Sequence, residues 1–193
     1  MRQRARRRRE VLRELRHAHG HRVAAGPALA QATVAVVGRH NSGKTTFLIA
    51  LLPLLVARGL RVGYLKHAHV AFEIDQPGKD SYRVRRTGVL QTVVAGGKQV
   101  AVIDDAEAEA SLNAVIARYV RSDLDLLVVE GFKHEPLPKI EVARVALAAE
   151  LVCGDDPRLI AVVADFAPSR ADVPCFLPSD AAGVAQLIAA RIT

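Results

Sequence analysis

The stretch Gly38-Arg39-His40-Asn41-Ser42-Gly43-Lys44-Thr45 decides how this chain is read. It has the form G-x-x-x-x-G-K-T, a phosphate-binding P-loop. Before it, Thr33-Val34-Ala35-Val36-Val37 is short, apolar and β-branched, and reads as a buried strand. After it, residues 45–58 read as a helix. The motif thus lies between a strand and a helix N-terminus, where backbone N–H groups and the positive helix end can surround an anion. Gly38 and Gly43 permit backbone geometry and close approach that a Cβ would block. Lys44 is placed to reach the β- and γ-phosphates, and the Thr45 hydroxyl to ligate Mg²⁺.

Outward from the motif, Phe47, Leu48, Leu51, Leu52, Leu55 and Val56 form the apolar face of that helix. Pro53 is expected to kink it and Gly59 to end it. Residues 61–66 predict the next strand and, with it, a right-handed βαβ unit with parallel pairing. A polar loop covers 67–79, and 80–86 predict a short helix stopped by Gly88. Residues 90–95 and 98–104 flank Gly96-Gly97 and predict a β-hairpin. A helix is expected over 106–120, a buried strand over 125–130, a loop over 131–139 and a strand over 140–147. Late strands are expected at 159–165 and 175–177. A closing helix over 180–192 has Ser179 as its expected N-cap. The fold class is α/β, a P-loop NTPase three-layer sandwich with a mostly parallel central sheet and an added hairpin.

Composition bounds the function. A chain of 193 residues with half its residues apolar can bury a real core. Only 4% are aromatic, so Val, Leu and Ala must fill it. No apolar run approaches the roughly 18 residues that span a bilayer. Cys153 and Cys175 lack metal-ligand spacing and read as buried free thiols of a cytoplasmic protein. The net charge of +7 lies in a tail: residues 1–22 hold nine of the 27 basic residues and two of the 20 acidic ones, and the remaining 18 of each sign cancel. Residues 1–32 therefore read as a basic extension and linker, and 33–193 as the nucleotide-binding domain. Only the tail could attract nucleic acid, and it has no aromatic side chain on which bases could stack. His17, His19 and His21 in the tail could gather a metal, but a His-rich tract is weak evidence for one.

In open α/β sheets ligands collect beyond the carboxyl ends of the strands. Three strand ends should converge there. The first brings residues 38–46, the second Lys66, His67 and the loop to Asp80, the third Glu130, Gly131 and Lys133. Glu130 can hold Mg²⁺ through water or orient an attacking water, and Asp75 and Asp80 compete for that task. Lys66 can neutralise charge on a transferring γ-phosphoryl group. His67, His69 and His134 read as hydrogen-bonding loop residues rather than a zinc site. Asp165 ends a late strand and could accept hydrogen bonds from guanine, although N-K-x-D surroundings are absent.

Taken together, three blocks resemble the molybdopterin-guanine dinucleotide biosynthesis adaptor family, MobB. They are the P-loop through Thr46, Lys66-His67-Ala68-His69 with Asp75-Gln76-Pro77-Gly78-Lys79-Asp80-Ser81-Tyr82-Arg83, and Glu130-Gly131-Phe132-Lys133-His134-Glu135-Pro136-Leu137-Pro138-Lys139-Ile140-Glu141. The resemblance implies a cytosolic, homodimeric GTP-binding protein with weak GTPase activity. It implies assistance to the guanylyltransferase that attaches GMP to the molybdopterin cofactor. By position, Gly38, Arg39, His40, Asn41, Ser42, Gly43, Lys44, Thr45 and Thr46 bind phosphate and Mg²⁺. Lys66, Asp75, Lys79, Asp80, Glu130 and Lys133 line the site. The hairpin over 90–104 becomes the dimerising element. The basic extension, and Ala68 and Val70, depart from the family pattern. Two rivals remain: a small-molecule kinase using ATP, and a nucleic-acid protein acting through its tail.

Overall fold

The computed structural model describes residues 32–68, 72–105 and 110–192. The extension assigned to 1–32 lies outside the described residues except for Ala32, and so does His69. Strand β1 (Ala32–Val37) leads through the P-loop into α1 (Lys44–Ala57), followed by β2 (Val62–Lys66) and α2 (Asp80–Arg85). Next come β3 (Gln91–Gly96), β4 (Gln99–Asp104), α3 (Leu112–Tyr119), β5 (Leu126–Glu130) and β6 (Lys139–Ala143). The chain closes with β7 (Leu159–Ala164), β8 (Cys175–Phe176) and α4 (Ala181–Ile192).

The main sheet has six parallel strands in the order β2-β5-β1-β6-β7-β8, and β3 and β4 form a separate antiparallel pair. β1 and β2 are parallel as expected, but β5 inserts between them. The reason is burial. Every residue of β5 is buried, whereas β2 is half exposed and fits an edge. Glu130 consequently lies in register between Val36 of β1 and Lys66 of β2.

One face of the sheet packs on α1 and α4. Val34, Val36, Val128, Ile140, Val142 and Val163 meet Phe47, Leu48, Leu51 and Leu55 of α1 and Val184 and Ile188 of α4. Pro53 sits inside an unbroken α1 on its exposed side. The carbonyl deprived of its N–H partner belongs to Ile49, which is itself exposed, so water can serve it. Arg58 and Gly59 close the helix through N–H bonds to Leu55 O (3.2 Å) and Val56 O (2.9 Å), with Gly59 at φ +83°.

The opposite face is covered by α3 and by two crossovers, residues 131–138 and 144–158, that contain no helix. Irregular chain laid on a sheet turns unpaired amides inward, and these must find partners. Two fully buried charged residues of β6 supply them. Glu141 accepts the N–H groups of Val152 (2.6 Å) and Cys153 (2.8 Å). Lys139 donates to Glu135 O (2.6 Å) and Leu137 O (3.2 Å) and pairs with Asp156 at 2.7 Å.

Several sequence expectations change at their edges. The helix expected from residue 106 begins at Leu112, capped by the Ser111 side chain, and residues 106–109 lie outside the described chain. β6 ends at Ala143 rather than 147, where Arg144 turns toward the P-loop. The hairpin turn is Gly97-Lys98, one residue beyond the expected centre, with Gly96 opposite Gln99. Asp180, not Ser179, caps α4, its Oδ1 accepting the Gly183 N–H at 2.9 Å. Cys153 is buried, but Cys175 is exposed. Among the described residues no helix is long and apolar enough to cross a membrane.

Candidate functional site

The site forms where β1 runs out between β5 and β6. Gly38 has φ +141°, Asn41 +61° and Gly43 +91°, so the loop winds through three left-handed positions. A Cβ on Gly38 would fall 2.2 Å from Val142 O on β6, which makes glycine obligatory there. Gly43 is the N-cap of α1 and offers no capping side chain. The first-turn N–H groups of Lys44, Thr45 and Thr46 therefore lack intrahelical acceptors and are free to receive an anion.

Lys44 reaches back along the loop, its Nζ donating to Arg39 O at 2.7 Å and Gly38 O at 3.1 Å. Burial pushes its pKa down, Glu130 opposes that shift and Lys66 adds to it. Thus Lys44, Glu130 and Lys66 share one electrostatic neighbourhood. Glu130 is buried; Tyr64 donates its hydroxyl to Oε2, and Lys66 Nζ lies 3.8 Å from Oε1. Burial and then this bond drive the Tyr64 hydroxyl well above its ordinary range. A carboxylate fixed at both oxygens, beside a loop that presents donors, is equipped to orient water or a hydrated cation near an anion.

Of the other residues singled out from the sequence, Arg39, His40, Asn41, Thr45 and Thr46 stand exposed around the loop, and Ser42 is buried beneath it. Asp75 accepts from Gln76 N (2.9 Å) and Ser81 Oγ (3.0 Å), while its Oδ2 is shielded without a hydrogen-bond partner. Lys79 is the N-cap residue of α2 and Asp80 opens its first turn, both exposed. Lys133 is exposed on the side of Cys153, where its charge works against the upward push of burial on that thiol. His67 stacks on Phe132, ring centroids 4.3 Å apart, across the close approach of Gly131. Among the described residues no three His, Cys, Asp or Glu side chains gather as metal ligands.

Residues 33–165 match the family described as molybdopterin guanine dinucleotide synthesis protein B, MobB. The chain belongs to the MobB family. It is 41% identical over 153 residues to the molybdopterin-guanine dinucleotide biosynthesis adapter protein of Escherichia coli K12, covering 77% of this chain and 86% of that protein. It is 38% identical over 116 residues to the adapter protein of Haemophilus influenzae, covering 60% and 65% respectively. It resembles the crystal structure of Bacillus subtilis MobB with a TM-score of 0.64 and 28% identity, over 84% of this chain and 98% of that one. A crystal structure of molybdopterin-guanine biosynthesis protein B aligns at TM-score 0.63 and 26% identity, over 82% and 99%.

Two residues of this MobB chain were not singled out from the sequence. Tyr64 falls within the strand expected over 61–66, and its period-2 spacing from Lys66 is the available signal. Arg144 lay inside an expected strand. Its guanidinium Nε faces Ser42 O at 3.4 Å, and Nη1 lies 3.7 Å from Asp165 Oδ2. Asp165 Oδ1 accepts the Val145 N–H at 2.8 Å.

Proposed function

We propose that this MobB protein binds GTP with Mg²⁺ at residues 38–46, hydrolyses it slowly, and serves as a cytoplasmic adapter for the guanylyltransferase that attaches GMP to molybdopterin. The observation that carries the reading is the cradle itself: the Lys44 ammonium laid along the loop, open N–H groups at the start of α1, and buried Glu130 beside them. The residues fit a magnesium triphosphate. The Thr45 hydroxyl is exposed at the helix start, and Ser42 Oγ is buried without a hydrogen-bond partner. Mg²⁺ supplies charge neutralisation between phosphate oxygens when bound.

In this reading Lys44 holds the terminal phosphates, Glu130 orients water, and Tyr64 and Lys66 fix its carboxylate. Asp75, Lys79, Asp80 and Lys133 line the approach, with Asp165 on the nucleoside side. With no glutamine assigned to place the water, intrinsic turnover should be about 10⁻⁴–10⁻² s⁻¹. The β3–β4 hairpin is the proposed dimer contact. It is unpaired with the main sheet among the described residues, and Val93, Val100 and Val102 share one exposed face.

The test compares GTP with ATP turnover, alone and with the guanylyltransferase added. GTP preference, slow hydrolysis and improved guanylyl transfer are expected. ATP preference with a phosphorylated metabolite would establish the kinase rival instead. Turnover of about ten per second without a partner would reject the adapter reading.

A further inference from the structure

Arg144 directly follows β6, which flanks β1 on the side away from Glu130 and Lys66. Its guanidinium folds back over the P-loop. A Cβ placed on Gly43 would meet Nη2 at 3.3 Å, Nε at 3.6 Å and Cζ at 3.9 Å. This positive group therefore lies against the N-cap of α1, where the helix end is already positive. A cation there is unfavourable by itself and becomes favourable with an anion between the two. Asp165 holds it in place: one oxygen is anchored on the Val145 N–H at 2.8 Å and the other faces Arg144 at 3.7 Å. Beneath the same loop, Ser42 is 1% exposed and its hydroxyl has no hydrogen-bond partner.

The position along a bound phosphate chain follows from the strand order. Lys44 shares its surroundings with Glu130 and Lys66 on the β5 side, so terminal phosphates belong there. A chain crossing the end of β1 then brings the phosphate nearest the nucleoside to the β6 side, under Arg144.

We propose that Arg144 grips the α-phosphate of bound nucleoside di- and triphosphates. Asp165 is its positioning residue, acting through Arg144 rather than through the direct contact to guanine expected from the sequence. This rests on the nucleotide-binding reading above. An arginine supplied from the same chain complements Lys44: the planar guanidinium donates two parallel N–H groups to phosphate oxygens, whereas the ammonium acts as a point charge.

Calorimetric titration of GTP, GDP and ATP, each with Mg²⁺, tests the assignment on the intact protein, Lys44→Ala, Arg144→Ala, Arg144→Lys, Asp165→Asn and the Arg144→Ala/Asp165→Asn pair. Arg144→Ala should weaken GTP and GDP by the same factor, about ten- to a hundredfold, the worth of one charge-assisted hydrogen bond. Arg144→Lys should recover part of the loss. Asp165→Asn should weaken GTP and ATP equally and add nothing to Arg144→Ala. Arg144→Ala binding GDP as tightly as the intact protein overturns the proposal. So does Asp165→Asn penalising GTP above ATP with full additivity. If Lys44→Ala loses nucleotide while Arg144→Ala keeps it, this inference fails alone. If the intact protein takes up neither GTP nor GDP, the nucleotide reading fails and takes the inference with it.

Discussion

Replacing Gly38 with alanine separates two costs that glycine avoids. The residue sits at φ +141°, and an added Cβ would fall 2.2 Å from Val142 O, 2.9 Å from Ser42 Oγ and 3.2 Å from Val142 C. An ordinary non-bonded contact needs roughly 3.5 Å, so the shortfall exceeds an ångström. The obstructing atom is backbone of β6, which is hydrogen-bonded to β1 and β7 on its two sides and cannot turn aside as a side chain would. Backbone strain contributes about 1–3 kcal/mol, and overpacking adds about 1–3 kcal/mol. For a domain of this size about 2–4 °C of melting temperature goes with each kcal/mol, so Gly38→Ala should melt about 5–20 °C lower. Gly59→Ala is the control: φ is +83°, but no atom lies within 4 Å of the new Cβ. It carries only the left-handed backbone cost, about 1–2 kcal/mol. Paired thermal melts and GTP titrations read both effects. Gly38→Ala should lose GTP binding as well as stability, and Gly59→Ala should keep GTP binding. Equal melting temperatures with equal GTP affinity would show that the close approach of P-loop to β6 does not exist in solution.

Glu141→Ala should leave the Val152 and Cys153 N–H groups unpaired beneath the 144–158 crossover and cost about 2–6 kcal/mol, at about 1–3 for each unsatisfied donor. The urea midpoint checks it, and exposed Glu150→Ala should shift that midpoint by less than about 0.5 kcal/mol equivalent. Asp125 is held at about 2, below its ordinary 3.8, by the Arg61 guanidinium and then the Arg61 N–H. A carboxyl depressed on folding adds stability that is complete above its unfolded value and lost as pH falls toward the folded one. The melting-temperature gap between the intact protein and Asp125→Asn should therefore narrow between about pH 4 and pH 2, and a constant gap would remove Asp125 from the acid response. Val93→Asp with Val100→Asp should convert a dimer to a monomer in sedimentation equilibrium, and an unchanged mass would exclude the hairpin face as the contact.

What the sequence disclosed was governed by local chemistry. The glycines, Lys44 and the flanking β-branched strand and helix lie in one continuous stretch of sequence, and the strand and the helix both appear where expected. The all-apolar run before Glu130 marked β5 as buried, but its place between β1 and β2 is a property of the whole sheet that no short window contains. Lys139 ends the loop expected over 131–139 and Glu141 lies in the strand expected over 140–147, and neither local window signals that both are buried. Their burial follows from two helix-less crossovers whose amides need partners, which only the packed structure exposes. Arg144 was hidden for the same reason. Its role depends on Gly43, about a hundred residues away in sequence but in contact across the sheet. Within the helix expected over 106–120, the Ser111 side-chain cap sets the observed start at Leu112.

Titration of GTP into the intact protein, with and without Mg²⁺ and beside Lys44→Ala, bears most directly on the central claim. One equivalent of GTP should bind in a Mg²⁺-dependent manner, with affinity falling at least about a hundredfold when the ammonium group is removed, as for a buried charge-assisted contact to phosphate. Absence of GTP uptake, or uptake indifferent to both Mg²⁺ and Lys44, would contradict it.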